Sequence, residues 1–156
     1  MTGSIEELRL HRVLVAIDGS ETSELALRAA ITVALRDNAA MTLLSVIPEM
    51  SAEAAGWSLA GANPEQLRQD AEHYAEKLLR ETVDRMPDGI PVTTVIRRGK
   101  PGPEICAQAR DQVYDAILLG ARGVGRVGAM FGSVSSYVLR HADVPVFVAH
   151  EPRHAD

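Results

Sequence analysis

The sequence predicts an α/β fold: a doubly wound, five-stranded parallel sheet with the strand order 3-2-1-4-5. Short apolar segments alternate with longer segments of helical periodicity, which is typical of strands joined by crossover helices. Residues 13–17 and 115–119 are apolar almost throughout, as strands buried on both faces of a sheet are. Residues 91–98 are half polar, and residues 144–149 include Pro145, which cannot donate a ladder hydrogen bond. The first two segments therefore belong at the centre of the sheet and the other two at its edges.

Several elements carry their own start signals. Ser20 is a candidate N-cap for the first helix, which has acidic residues in its first turn. Asn63, Pro64 and Gln66 are typical of a second helix start, as cap, first-turn proline and capping-box partner. Residues 48–62 show no periodicity and predict a long loop. The predicted elements are, in order, a strand over 13–17, a helix over 21–36, a strand over 41–47, a helix from 64 to about 86, a strand over 91–98, a helix over 103–110, a strand over 115–119, a helix from 132 or 133 to about 141 and a strand over 144–149.

Composition and charge exclude several classes of protein. The length of 156 residues fits a single domain, 1–156, with its core over about 11–150. The net charge of −5 argues against a general nucleic-acid binder, which would present a basic face. No apolar run is long enough to span a membrane, and the N-terminus lacks the pattern of a signal peptide. We therefore expect a cytoplasmic protein, and the strong preference for Arg over Lys indicates a GC-rich bacterial genome.

Cysteine and histidine usage gives no catalytic or metal-binding pattern. A single cysteine, Cys106, excludes an internal disulfide and fits a reducing compartment. Cys106 lies on a predicted amphipathic helix, where packing is favoured over nucleophilic chemistry. The five histidines form no ligand cluster, and His150 and His154 fall at a strand end and in a polar tail.

Residues 123–128 match the pattern G-x-G-x-x-G, and Asp143 follows Gly123 by twenty residues. The dinucleotide fingerprint requires this pattern in the first strand-to-helix turn, with the acidic residue at the end of the next strand. Here the pattern follows strand 4 and Asp143 precedes strand 5, so hydride chemistry is not favoured. The sequence also contains no G-x-x-x-x-G-K-[ST] phosphate loop.

The predicted strand order places the topological switch point between strands 1 and 4, where open α/β sheets bind ligands. The loops facing it are residues 18–20 and 120–133. Gly120, Gly123 and Gly132 would let backbone N–H groups approach phosphates, and Arg122 would add a positive charge. The alternative is a glycine-rich turn that only connects strand 4 to the last helix, and the residues alone leave both interpretations open.

Several blocks of sequence resemble the universal stress protein family. They are Val-Leu-Val-Ala-Ile-Asp-Gly-Ser at 13–20, Gly-Ala-Arg-Gly at 120–123, Gly-Ser-Val-Ser at 132–135, Val-Leu-Arg-His-Ala at 138–142 and Val-Pro-Val-Phe-Val at 144–148. The resemblance covers about residues 11–150. It implies a Rossmann-like doubly wound fold, commonly a homodimer, and in one subgroup ATP bound at the switch point. Eight residues separate Gly123 from Gly132 here, one fewer than in that subgroup's pattern.

Position by position, the resemblance implies a nucleotide site. Its residues are Ala16, Asp18, Val46, Gly120, Arg122, Gly123, Gly132, Ser133 and Val134. Ala16 would lie on the base side and Val46 would hydrogen-bond adenine through its backbone. Gly120 and Gly123 would line the ribose and phosphates. Gly132, Ser133 and Val134 would hold the phosphate chain.

Two of these residues have an alternative structural explanation. Asp18 would lie near the ribose or a metal bridged to phosphate, and since a bare carboxylate repels a triphosphate, that role requires Mg²⁺. Asp18 is equally suited to forming a turn at a strand end. Ser133 would either contact phosphate or serve only as the helix N-cap.

Three functions remain as hypotheses: a regulatory ATP-binding stress-response protein, a dimeric interaction module that binds no nucleotide, and a nucleotide-dependent enzyme. The enzyme ranks last because no general base is paired with an activated nucleophile. For assembly we predict a homodimer through strand 5. Its edge is apolar and carries no charge, and the residues concerned are Val144, Val146, Phe147 and Val148.

Overall fold

The computed structural model of the chain describes residues 4–49, 61, 63–122 and 131–152. In this part of the chain, strands and helices alternate in the order β1-α1-β2-α2-β3-α3-β4-α4-β5. The strands are β1 (Arg12–Ala16), β2 (Ala40–Ile47), β3 (Val92–Arg98), β4 (Ala116–Gly120) and β5 (Val146–Ala149). The helices are α1 (Glu21–Asp37), α2 (Pro64–Asp84), α3 (Pro101–Asp111) and α4 (Ser133–His141).

The five strands form one parallel sheet in the order β3-β2-β1-β4-β5, which confirms the predicted fold class and strand order. Val13 on β1 pairs with Met41 on β2 and with Ala116 on β4, so β1 is central. Pro145 precedes β5 and accepts a hydrogen bond, 2.9 Å, from the N–H of Ile117 through its carbonyl oxygen. Pro145 directly precedes the first residue of β5, so its missing donor falls at the start of the edge strand and not within it.

Each face of the sheet is covered by two helices. Val13, Val15 and Leu43 pack with α1 and α2 in one buried cluster. Leu14 and Leu44 pack with α3 and α4 in the other. The continuous apolar runs of the central strands thus supply both cores, because alternate side chains point to opposite faces. Among the described residues, no helix is both long and apolar enough to cross a membrane.

The predicted caps of the first two helices are confirmed. The N–H of Ser23 donates to Ser20 Oγ at 3.2 Å, and the N–H of Glu65 donates to Asn63 Oδ1 at 3.0 Å. Gln66 is not the capping-box partner of Asn63, since its Nε2 donates instead to Asp70 one turn along the helix, at 2.8 Å.

Other boundaries differ from the predicted ones by one to two residues. Helix α3 begins at Pro101 rather than at residue 103, because a proline in the first turn gives up no helical hydrogen bond. Helix α2 ends at Asp84 and β5 begins at Val146. The predicted loop over 48–62 and the glycine-rich segment 120–128 lie largely outside the described residues.

Candidate functional site

A cavity of about 590 Å³ lies at the carboxyl ends of β1, β2 and β4. This is the switch point of the sheet, because the chain leaves β1 toward β2 on one side and reaches β4 on the other. Its volume falls in the range of small-molecule sites, roughly 300–1,000 Å³. Helices α2, α3 and α4 contribute to its walls.

The turn from β1 to α1 forms one border of the cavity and is held by its own hydrogen bonds. The N–H of Ser20 donates to Asp18 Oδ1 at 2.9 Å, and Gly19 has φ +82°, a conformation that favours glycine. Ser23 Oγ accepts from the N–H of Asp18 at 3.2 Å and lies 3.3 Å from the carbonyl oxygen of Ala16. Asp18 is therefore a turn-forming residue that also lines the cavity, with its carboxylate exposed.

The start of α1 is joined directly to the end of β4. Thr22 Oγ1 donates to the carbonyl oxygen of Arg122 at 2.6 Å, and Ser20 Oγ lies 3.3 Å from the same oxygen. A Cβ on Gly120 would lie 2.6 Å from the backbone N of Ser23. Glycine at position 120 is thus required for α1 to pack on β4, in addition to its place on the cavity wall.

The start of α4 forms the opposite border. Its N-cap is Gly132 and not Ser133, so the cap has no side-chain hydrogen bond. The N–H of Gly132 donates to the carbonyl oxygen of Ala121 at 2.6 Å, and Ser135 Oγ donates to the same oxygen at 2.7 Å. These bonds hold the helix N-terminus against the end of β4. Gly132, Ser133 and Val134 all line the cavity there.

Arg122 is a half-buried cation on the cavity wall. Its Nη2 lies 3.1 Å from Glu151 Oε2, beyond the end of β5. The carboxylate of Glu151 therefore lies beside the Arg122 guanidinium, which the sequence predicts to contact phosphate.

The backbone of Val46 also faces the cavity. The N–H of Ala40 donates to His11 O at 2.9 Å, and Leu44 O accepts from the N–H of Ile17 at 2.8 Å. The even-numbered residues of β2 therefore direct both backbone polar groups toward β1. Val46 belongs to this even-numbered series, but the pairing of β1 with β2 ends at Ala16 and Leu44, before Val46 is reached. Its N–H and C=O are thus directed into the space beyond β1.

All of the predicted nucleotide-site residues that the structure describes line this single cavity. They are Ala16, Asp18, Val46, Gly120, Arg122, Gly132, Ser133 and Val134. Gly123 lies outside the described residues. That these residues bind a nucleotide stays a prediction.

Polar residues around the cavity that sequence reasoning missed include Thr22, Ser45, Tyr74 and Ser135. Thr22 and Ser135 make the tertiary hydrogen bonds described above. Ser45 on β2 and Tyr74 on α2 line the cavity wall. Periodicity places Tyr74 on one face of α2 with Leu67, Ala71 and Leu78 but cannot show that this residue, 59% exposed, reaches the cavity. For Thr22 and Ser135, the available signal was the repetition of hydroxyl residues soon after Gly19 and Gly132.

Cys106 and the titratable clusters do not form a second site in the described residues. Cys106 is 2% exposed in the core beneath α3, and burial raises the pKa of its thiol, which disfavours the nucleophilic thiolate. Among the described residues, no three His, Cys, Asp or Glu side chains are grouped as a metal site.

Strand β5 is the edge predicted to form the dimer. Phe147 is 45% exposed, on the face opposite the side chains of Val146 and Val148. Those two valines and Val144 are half-buried and pack against the core of their own chain. A partner would therefore meet the β5 backbone and Phe147 rather than a row of free valines.

Fold and site together define a doubly wound α/β protein with a cavity at its switch point. Residues 9–150 match the Universal stress protein family, and the chain belongs to that family. It is 29% identical to Universal stress protein YxiE of Bacillus subtilis, over 88% of this chain and 97% of the relative.

Two solved structures share the fold and contain a nucleotide. A universal stress protein in complex with cAMP is 21% identical, with a TM-score of 0.69, over 93% of this chain and 100% of the other. An Arabidopsis thaliana protein of the same family with AMP bound is 22% identical, with a TM-score of 0.66, over 92% and 93% of the two chains.

Proposed function

We propose that this universal stress protein is a regulatory protein that binds ATP in the cavity between the ends of β1 and β4. The observation that carries the proposal is the convergence of eight predicted site residues on one cavity at the switch point. That two proteins of the same fold contain cAMP or AMP supports an adenine nucleotide as the ligand class.

One side of the cavity suits a purine base. Ala16, Val46 and Ile105 supply an apolar surface between the sheet and α3. The backbone N–H and C=O of Val46 point into the same space, and such a donor and acceptor pair matches the edge of adenine. The base would bury apolar surface while satisfying backbone groups that β1 is too short to pair.

The other end suits phosphate groups. The N-terminus of α4 lines this end of the cavity, its N-cap Gly132 makes no side-chain cap hydrogen bond, and the helix dipole adds partial positive charge there. Arg122 contributes a guanidinium at the same end. Charge-assisted hydrogen bonds of this kind are worth about 1.5–3 kcal/mol each.

The residues also fit a magnesium ion carried by ATP. Magnesium bound to a nucleotide needs only one or two protein carboxylates, because phosphates and waters supply the other ligands. Asp18 is such a carboxylate on the cavity border. Mg²⁺ would offset the repulsion between Asp18 and the phosphates.

Calorimetric titration of ATP with Mg²⁺ into nucleotide-stripped protein tests the proposal. We expect saturable binding to one site per chain, together with a co-purified adenine nucleotide in mass spectra of freshly isolated protein. Absence of heat and of a thermal shift at millimolar ATP would favour the interaction module that binds no nucleotide.

We further propose that β5 pairs with β5 of a second chain. The edge of β5 presents unpaired backbone groups beside the exposed ring of Phe147, and a twofold partner would cover both. Sedimentation should give twice 16.8 kDa for the wild type and 16.8 kDa for Phe147→Lys. Leu35→Lys, at a residue of α1 that is 57% exposed, is the matched control and should remain dimeric. A monomeric wild type at tens of micromolar would contradict this assembly.

A further inference from the structure

The cavity has a second side, next to α2, that the proposed base and phosphate positions leave unused. Side chains alternate across the ends of β1 and β2, so Ala16 and Val46 face α3 and α4, whereas Ile17 and Ser45 face α2. Helix α2 completes this second side with Ala71, Tyr74 and Ala75. Among the described residues of this side, the side-chain hydroxyls that make no hydrogen bond to a described residue are those of Ser45 and Tyr74.

The Ser45 hydroxyl is buried and lacks a partner in the described part of the chain. Ser45 is 5% exposed and lines the cavity, and its hydroxyl makes no hydrogen bond to a described residue. No unpartnered side-chain nitrogen or oxygen of the described residues is sealed inside the protein. The hydroxyl therefore opens onto the cavity, where a ligand can satisfy it. A polar group this deeply buried is normally hydrogen-bonded.

The Tyr74 hydroxyl stands over the turn that follows β1. It lies 2.7 Å from the position that a Cβ on Gly19 would occupy, which brings it close to that turn. It too makes no hydrogen bond to a described residue. Two neutral groups, each able to donate and to accept, thus border the same side of the cavity.

We propose that Ser45 and Tyr74 bind the ribose hydroxyls of the nucleotide and make the site selective for ribonucleotides over deoxyribonucleotides. The inference rests on the proposed function. With the base at Val46 and the phosphates at the start of α4, the sugar that joins them lies over the end of β1. The described residues that line the α2 side carry no charge that would compensate a phosphate, whereas the two hydroxyls match an uncharged diol.

The test compares ATP with 2′-deoxyATP and 3′-deoxyATP by calorimetry on nucleotide-stripped protein with Mg²⁺. We expect the wild type to bind ATP about ten-fold more tightly than at least one deoxy analogue, the loss expected for one hydrogen bond. Ser45→Ala and Tyr74→Phe should each weaken ATP binding and reduce the preference for ATP over the analogue that lacks the hydroxyl which that side chain contacts. Tyr137→Phe, which removes a hydroxyl on α4 outside the cavity wall, is the matched control and should keep the wild-type ratio.

The outcomes separate this inference from the proposed function. If ATP binds but the wild type binds both deoxy analogues equally well, ribose recognition is overturned and nucleotide binding stands. A preference for ATP that both variants retain in full also overturns the roles of Ser45 and Tyr74. If the wild type binds no ATP, the proposed function fails and this inference fails with it.

Discussion

Two helix N-termini border the same cavity, and they differ in how their backbone donors are satisfied. Helix α1 is capped by its own sequence, because Ser20 Oγ accepts from the N–H of Ser23. The N-cap of helix α4 is Gly132, which has no side chain to accept such a bond. Of these two N-cap residues, only Ser20 therefore makes a side-chain cap hydrogen bond.

The difference indicates that the start of α1 serves the fold, whereas the start of α4 belongs to the proposed ligand site. The α1 start also holds the end of β4, through Thr22 and the carbonyl oxygen of Arg122. Its polar groups are therefore committed to the fold. The α4 start is held by hydrogen bonds to the carbonyl oxygen of Ala121, and its first residues line the cavity. Substitutions at the α1 start should thus change stability, and substitutions at the α4 start should change ligand binding.

The largest expected effect is on ATP affinity in Ser133→Asp. A carboxylate at the first residue of α4 would occupy the helix donors and repel the phosphates. We expect at least a roughly 100-fold loss of ATP affinity, about 2.8 kcal/mol, by calorimetry. The melting temperature should not fall, since an acidic residue in the first helical turn is favourable.

Ser136→Asp is the control for this prediction, because it adds the same charge to α4 without lining the cavity. Its ATP affinity should stay within about three-fold of the wild type, since surface charges a turn away are screened. Equal losses in both variants would show that net charge, and not the α4 start, governs binding.

Gly120→Ala should give the largest loss of stability. The new Cβ would lie 2.6 Å from the backbone N of Ser23, so α1 must move away from β4. Overpacking of this kind costs about 1–3 kcal/mol, and about 2 kcal/mol corresponds to a decrease in Tm of roughly 4–8 °C at this chain length. Thermal unfolding followed by circular dichroism measures it, and an unchanged Tm would contradict the close contact.

The sequence was sufficient to predict the fold, and particular residues show why. Apolar runs in strands 1 and 4, a half-polar strand 3 and Pro145 before strand 5 report burial and hydrogen bonding, which decide strand order. The same local logic found the caps Ser20 and Asn63. Gln66 was assigned wrongly because two local partners were available and Asp70, one turn ahead, bonds to it.

The candidate site was predictable only where a strand end or a helix start identified it. Asp18 and Gly132 follow from their positions in the chain, whereas Ser45 and Tyr74 come from different elements that only the folded chain brings to one wall. The packing role of Gly120 depends on the distance between α1 and β4, which no local pattern encodes. Tertiary proximity thus accounts for what sequence reasoning missed.

A smaller effect is expected for Ser20→Ala, which removes the cap of α1. Loss of a serine N-cap costs about 1 kcal/mol, so Tm should fall by roughly 2–4 °C. ATP affinity should change less than about two-fold by calorimetry, because this cap serves the fold. Ser20→Thr keeps a capping hydroxyl and should retain wild-type stability. A large loss of ATP affinity in Ser20→Ala would contradict the division between the two helix starts.

The smallest expected effect concerns the charge next to the α4 start. Glu151 lies 3.1 Å from Arg122 and competes with the ligand for its guanidinium, so Glu151→Gln should strengthen ATP binding. Both side chains are partly exposed to solvent, which limits the expected gain to about three-fold. The gain should decrease from ATP to AMP and with added salt, because it depends on ligand charge. Glu81→Gln changes the net charge equally at an exposed pair with Lys77 on α2 and should leave the affinity unchanged. If both variants gained equally, or if AMP gained as much as ATP, Arg122 would not be the group that exchanges Glu151 for phosphate.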